Sequence, residues 1–188
     1  MAVEADVIAL FDATEQAFGP IDGVVNNAGT LDRSMPLAEM SAERINRIIG
    51  VNLLGALYVA REAARRMGKS RGGRGGALIN LSSAAAKLGA PNDFVEYAAS
   101  KGGVEAMNLG LSKELGPEGI RVNAVRPGMI DTDIQDLSGE KGRAARVGPT
   151  VPLGRAGTAD EVGEAIVWLL SDEARYVSGA ILDVTGGR

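Results

Sequence analysis

"IDGVVNNAG" (residues 21–29) runs almost wholly apolar through Val25, then turns polar and ends on a glycine. A strand with one wetted face alternates apolar and polar residues. This one does not, and so reads as a strand of a parallel sheet covered on both faces. "GGALINLSS" (75–83), "GIRVNAVRPG" (119–128) and "GAILDVTGG" (179–187) supply three more, placing strands near 22–27, 76–82, 120–126 and 180–184. Helical stretches lie between and before them. Residues 4–18 put Val7, Leu10, Phe11 and Phe18 near one face and stop at "GP" (19–20). Residues 41–67 form a long helix capped by Ser41, with Glu43 in its first turn. Helices also span 94–115 and 158–171, the latter opened by Thr158. Strands alternating with helices of these lengths give βαβ units. The fold class is therefore α/β: about four parallel strands with helices on both faces, in one domain over 1–188.

Composition narrows the function. The chain has 188 residues, 45% hydrophobic and 23% charged, as in an ordinary globular domain. A net charge of −4 argues against nucleic acid or an anionic membrane as partner. The absence of cysteine and histidine excludes disulfides, thiolate nucleophiles, the usual zinc sites and any Ser-His-Asp triad. Acid/base chemistry must then use Tyr, Lys, Asp or Glu. No apolar run reaches membrane-spanning length and no leader pattern opens the chain, so the expected location is cytoplasmic. The basic, glycine-rich "RRMGKSRGGRGG" (65–76) has no interleaved aromatics and reads as a solvated connection.

Four places break the local pattern, and such breaks tend to mark functional sites. Asn52 sits in the most apolar part of its helix, either as a satisfied buried amide or at a kink whose freed carbonyl holds a water. Ser82 and Ser83 end a strand where side chains of open α/β sheets face the ligand crevice. One reading makes them strand terminators. The other gives a hydroxyl that holds a substrate oxygen. "VRPGMIDTD" (125–133) breaks straight after a strand and swings the chain across its carboxyl end. Finally, Tyr97 and Lys101 in "EYAASKGG" (96–103) share a helix face at i and i+4. They either pack or form an acid/base pair in which the ammonium lowers the phenol pKa.

"NNAG" (26–29), Asn52, "NLSS" (80–83), "YAASK" (97–101), "RPGMIDT" (126–132) and "VSGAILDVTGG" (177–187) resemble, in order and spacing, the short-chain dehydrogenase/reductase (SDR) family. The likeness runs over essentially the whole chain and looks closest to glucose-dehydrogenase-like and carbonyl-reducing members. It implies a Rossmann-like doubly wound sheet and NAD(P)-dependent hydride transfer between a nicotinamide and a small carbonyl or alcohol substrate. It also implies roles. Tyr97 is the acid/base, Lys101 lowers its pKa and holds the nicotinamide ribose, Ser83 polarises the substrate oxygen, and Asn52 anchors a water of the proton relay. Asn26, Ala28 and Gly29 line the ribose side, and Pro127, Gly128, Ile130 and Thr132 seat the carboxamide.

The chain departs from that family at its start. Members open with a strand and a TGxxxGxG turn, whereas this sequence begins at the helix before the "NNAG" strand. An N-terminally truncated sheet is expected, with the choice between NAD and NADP unreadable and affinity for either weak or absent. The alternative function is an inactive remnant acting as an oligomeric module. The unblunted edge at 22–27, the two long helices and the last strand imply a homo-oligomer, dimer or tetramer.

Overall fold

The computed structural model describes residues 2–188. Four strands, β1 (Gly23–Asn26), β2 (Gly76–Leu81), β3 (Ile120–Pro127) and β4 (Ile181–Val184), form one sheet in chain order. Every pairing is parallel, with Asn26 opposite Asn80, Leu78 opposite Val122 and Arg126 opposite Asp183. Parallel neighbours need crossovers, and helices supply them.

Alternation along β2 and β3 sorts the core into two layers. Leu78, Ile120 and Val122 face α3 (Gly55–Met67) and α5 (Val95–Glu114), burying Val59, Ala60, Ala63, Met67 and Leu115. Ile79, Leu81 and Val125 face the other way, onto Val162 and Leu169 of α7 (Ala159–Leu170). Helix α7 starts on a capping box: Thr158 accepts from the Glu161 amide while the Glu161 carboxylate accepts from the Thr158 amide. Short helices α4 (Ala85–Leu88) and α6 (Arg143–Val147) fill the connections after β2 and β3.

The stretch expected as one helix over 41–67 is a helical run in three parts. α2 (Ala42–Ile49), capped by the Ser41 hydroxyl, leads through a π turn at Gly50–Leu54 into α3. Asn52 lies in that π turn, a wider winding often found at functional positions.

Helix α1 (Glu4–Phe18) corrects one expectation. Val7 and Phe11 are buried, but Leu10 and Phe18 are exposed, Phe18 to 88%. The helix packs chiefly on α3 rather than on the sheet, and a stripe at i and i+4 suffices for that contact.

The 65–76 connection is tight. A Cβ at Gly73 would come within 2.3 Å of the Met67 backbone, and one at Gly76 within 1.9 Å of the Asp22 carbonyl oxygen. Its glycines thus answer to close backbone approach. Among the described residues, no helix is long and apolar enough to cross a membrane.

Candidate active site

Helix α5 carries Tyr97 and Lys101 one turn apart, and packing drives the lysine inward. Lys101 is 4% exposed, and its Nζ donates to the Leu81 carbonyl at the end of β2 over 2.7 Å. Burial pushes its pKa down to about 8. The ammonium nitrogen stands 5.8 Å from the Tyr97 ring centroid.

The expected direction for Tyr97 is overturned. Burial raises the phenol pKa, and hydrogen bonding with Ser83 opposes that rise without cancelling it. Lys101 does not lower it, because the ammonium is directed at Leu81 rather than at the phenol oxygen. In this arrangement the tyrosine holds its proton.

The two serines part company at the strand end. Ser82 is buried, and its hydroxyl donates to Glu105 over 2.6 Å. Ser83 is half-buried beside Tyr97, with its Oγ accepting from the Ala85 amide at 3.2 Å.

Asn52 is 1% exposed and fully engaged. Its Oδ1 accepts from the Thr30 amide at 2.7 Å, and its Nδ2 donates to the Thr30 carbonyl at 2.9 Å and to Ser100 Oγ at 3.2 Å. Ser100 in turn donates to the Tyr97 carbonyl at 2.7 Å. The "NNAG" turn thereby folds over the site: a Cβ on Gly29 would stand 3.4 Å from Lys101 Nζ and 3.5 Å from Asn52 Oδ1. Asn52, Ser83, Tyr97 and Lys101 are thus linked in one place, at the carboxyl ends of β1 and β2.

The residues expected around a cofactor divide. Ala28 and Gly29 are exposed. The Asn26 side chain turns inward instead: its amide donates to the Ala56 carbonyl at 3.0 Å and to Asn80 at 3.1 Å. Asn80 continues to Asn108, and Asn108 to the Ala180 carbonyl, each at 3.2 Å. This chain of amides braces the sheet against α3 and α5, because polar groups buried there must find partners. The Pro127 carbonyl accepts from the Ala84 amide at 2.8 Å, tying that loop to the turn beside Ser83. Gly128 answers to packing: a Cβ there would stand 2.7 Å from Thr185 Cα. Ile130 bridges to Gly157 and joins the α7 core layer, while Thr132 borders a shallow surface hollow with Asp131, Gln135 and Arg155.

Sequence reasoning missed Thr30, Ser100 and Glu105. Ser100 lies three residues after Tyr97 and Glu105 four after Lys101, so helical spacing could have found both.

Comparison with known proteins matches residues 1–188 to the family model described as enoyl-(acyl carrier protein) reductase. The uncharacterized oxidoreductase YgfF of Escherichia coli (strain K12) is 47% identical over 185 residues, 98% of this chain and 75% of that one. L-rhamnose 1-dehydrogenase (NAD(P)(+)) of Azotobacter vinelandii is 44% identical over 180 residues, 95% and 68% of the two chains. The crystal structure of 3-ketoacyl-(acyl-carrier-protein) reductase from Brucella melitensis complexed with NADH superposes with a TM-score of 0.91 at 32% identity, covering 100% of this chain and 75% of the other. With the family model matched end to end and these relatives covered beyond two thirds, the chain belongs to the short-chain dehydrogenase/reductase family of oxidoreductases.

Proposed function

We propose that residues 1–188 form the single catalytic domain portion of an NAD(P)-dependent oxidoreductase acting on a small carbonyl or alcohol substrate, with Tyr97, Lys101, Ser83 and Asn52 as its working residues. The observation that carries this reading is the surroundings of Lys101. Its ammonium touches the β2 end, stands beside the Tyr97 ring, and is crossed by the Gly29 backbone with no side chain between.

These residues suit a nicotinamide nucleotide. An ammonium has three donors, and one is spent on Leu81, which leaves two for ribose hydroxyls. Gly29 leaves the approach to them clear. Bound there, the cofactor would supply the hydride chemistry.

In reduction, Tyr97 gives its hydroxyl proton to the substrate carbonyl oxygen, a role suited to a phenol that holds its proton. Ser83 donates to the same oxygen and fixes its place beside the phenol. In oxidation the phenol must give up its proton, and Lys101 would favour the anion only by swinging its ammonium from the Leu81 carbonyl toward the phenol oxygen. The Asn52 side chain is committed to Thr30 and Ser100, so its share in proton passage falls to its backbone carbonyl in the π turn. The sugar-oxidising name of one relative is consistent with a hydroxyl-rich substrate. The unblunted edge strand β1 supports a homo-oligomer as part of this proposal.

The test is NAD(P)H oxidation over a panel of small carbonyls at millimolar cofactor. Tyr97→Phe should lower the rate by about two to four orders of magnitude, the usual worth of a placed acid/base. An unchanged rate in that variant overturns the proposal.

A further inference from the structure

Tyr97, Lys101 and Glu105 follow one another at i, i+4 and i+8 on α5, and Glu105 is the one to which no role has yet been given. Its carboxylate is held on three sides. Arg126 Nε donates to Oε1 and Nη2 to Oε2, both at 2.8 Å, in a two-point clamp, and Ser82 Oγ donates to Oε1 at 2.6 Å. Arg126 is anchored in turn by Asp183 on β4, with Nη1 2.6 Å from Oδ1. The row Ser82–Arg126–Asp183 thus crosses the ends of β2, β3 and β4, and Glu105 seals it from above. The arginine and glutamate side chains are 13% and 16% exposed, so the pair is shielded from bulk water. Burial pushes the Glu105 carboxyl up, but the hydrogen bonds from Arg126 and Ser82 outweigh it and hold the pKa below the ordinary value. A bidentate, shielded pair of this kind is directional as well as strong.

Ser82 lies between the two contacts on which the candidate site depends. The residue before it, Leu81, offers its carbonyl to Lys101, and the residue after it, Ser83, meets Tyr97. Backbone bonds from the Ser82 amide to Val125 and from the Ala84 amide to Pro127, each 2.8 Å, fix the strand end laterally. They do not set its height against α5. The Ser82 hydroxyl does, at the turn of helix next to Lys101: it donates to Glu105 over 2.6 Å, the shorter of its two contacts on α5, and lies 3.4 Å from the Lys101 carbonyl oxygen.

We propose that Glu105, clamped by Arg126, is a positioning residue that docks the 81–83 strand end onto α5 so that Leu81 meets Lys101 and Ser83 meets Tyr97. The inference rests on the acid/base reading of Tyr97 and Lys101, but its test needs no turnover. The groups packed around Lys101 are the Tyr97 phenol on its own helix, the Leu81 carbonyl of β2, the Asn52 amide from the π turn and the Gly29 backbone, with Glu105 one turn further along α5.

The experiment is an NMR titration of the Lys101 ε-carbon in 13C-lysine-labelled protein, the signal assigned with Lys101→Arg. The Leu81 carbonyl favours the charged ammonium, so loosening the strand end should lower the midpoint. Glu105→Ala is expected to shift it down by roughly one to two units, the scale of one lost hydrogen bond to a charged group. Glu105→Gln removes the same charge but keeps an acceptor at Oε1, and should retain the wild-type midpoint. Equal shifts in the two variants would mark a plain charge effect and overturn the proposal. So would no shift in Glu105→Ala. Ser82→Ala, a small change that leaves Glu105 and Arg126 paired, should shift the midpoint as Glu105→Ala does. An unmoved midpoint in Ser82→Ala refutes the docking role even if Glu105→Ala fails to fold. A negative titration leaves the Tyr97→Phe assay untouched, and a negative assay leaves the titration readable.

Discussion

Strands β1 and β2 are written alike, Gly-Val-Val-Asn against Gly-Ala-Leu-Ile-Asn-Leu, and their asparagines pair in register. Their surroundings differ. All of β2 beyond Gly76 is buried, whereas in β1 only Asn26 is, and Val25 is 42% exposed beside an asparagine at 6%. The inversion has a simple cause. Asn26 faces α3, whose Ala56 carbonyl it meets, while Val25 faces the α7 side, where Leu170 at the end of that helix reaches Gly23. An apolar pattern states that a strand can be covered on both faces; its neighbours decide whether it is.

The sharpest way to break this contrast is to truncate one side chain on each strand. Leu78→Ala removes a fully buried group between β2, α3 and α5 and should cost about 2–5 kcal/mol in urea unfolding. Val25→Ala should cost less than about 1 kcal/mol, since little area leaves the core. Equal losses would show that β1 is covered as β2 is.

Lys101, docked on the end of β2, sharpens the contrast through pH. Its folded pKa of about 8 lies below the ordinary 10.5, so between these values the unfolded chain binds more protons than the folded one. The penalty for burying the ammonium is complete below pH 8 and fades as pH rises toward 10.5. Stability of the wild type relative to Lys101→Met should therefore rise by roughly 2 to 2.5 kcal/mol between pH 7.5 and 10. A flat difference in denaturant midpoints across that window would mean that the ammonium is better solvated than its burial implies.

The smallest effect is expected at the β1 edge. Val25→Lys should change unfolding free energy by less than about 0.5 kcal/mol. A lysine on an open edge discourages pairing between chains, so the variant should show a lower mean mass by light scattering than the wild type. Unchanged mass would mean that this edge carries no association between chains.

Much of this architecture is legible in the chain alone, for reasons that can be traced to particular residues. Short, largely unalternating apolar runs at 23–25 and 77–81, joined by helix-length crossovers, leave a parallel sheet as the economical solution, and helical periodicity joins Tyr97 to Lys101. Ser41 and Thr158 announce their helices because side-chain capping is local chemistry. The exposure of Phe18 was not legible, since a short amphipathic helix carries no record of how wide its partner is.

What the sequence by itself determined, then, is what covalent order and local geometry control: the element types and their order, the parallel pairing forced by helical crossovers, and the acid/base residues available to a chain without histidine or cysteine. Only the tertiary structure decided that Ser82, the neighbour of the serine named from the sequence, turns to Glu105, and that Asn26 braces the sheet. It also decided that the Tyr97 pKa rises rather than falls. These outcomes depend on how deeply a group is buried and on which distant partner claims each lone pair, and such facts exist only once segments far apart in the chain are brought into contact.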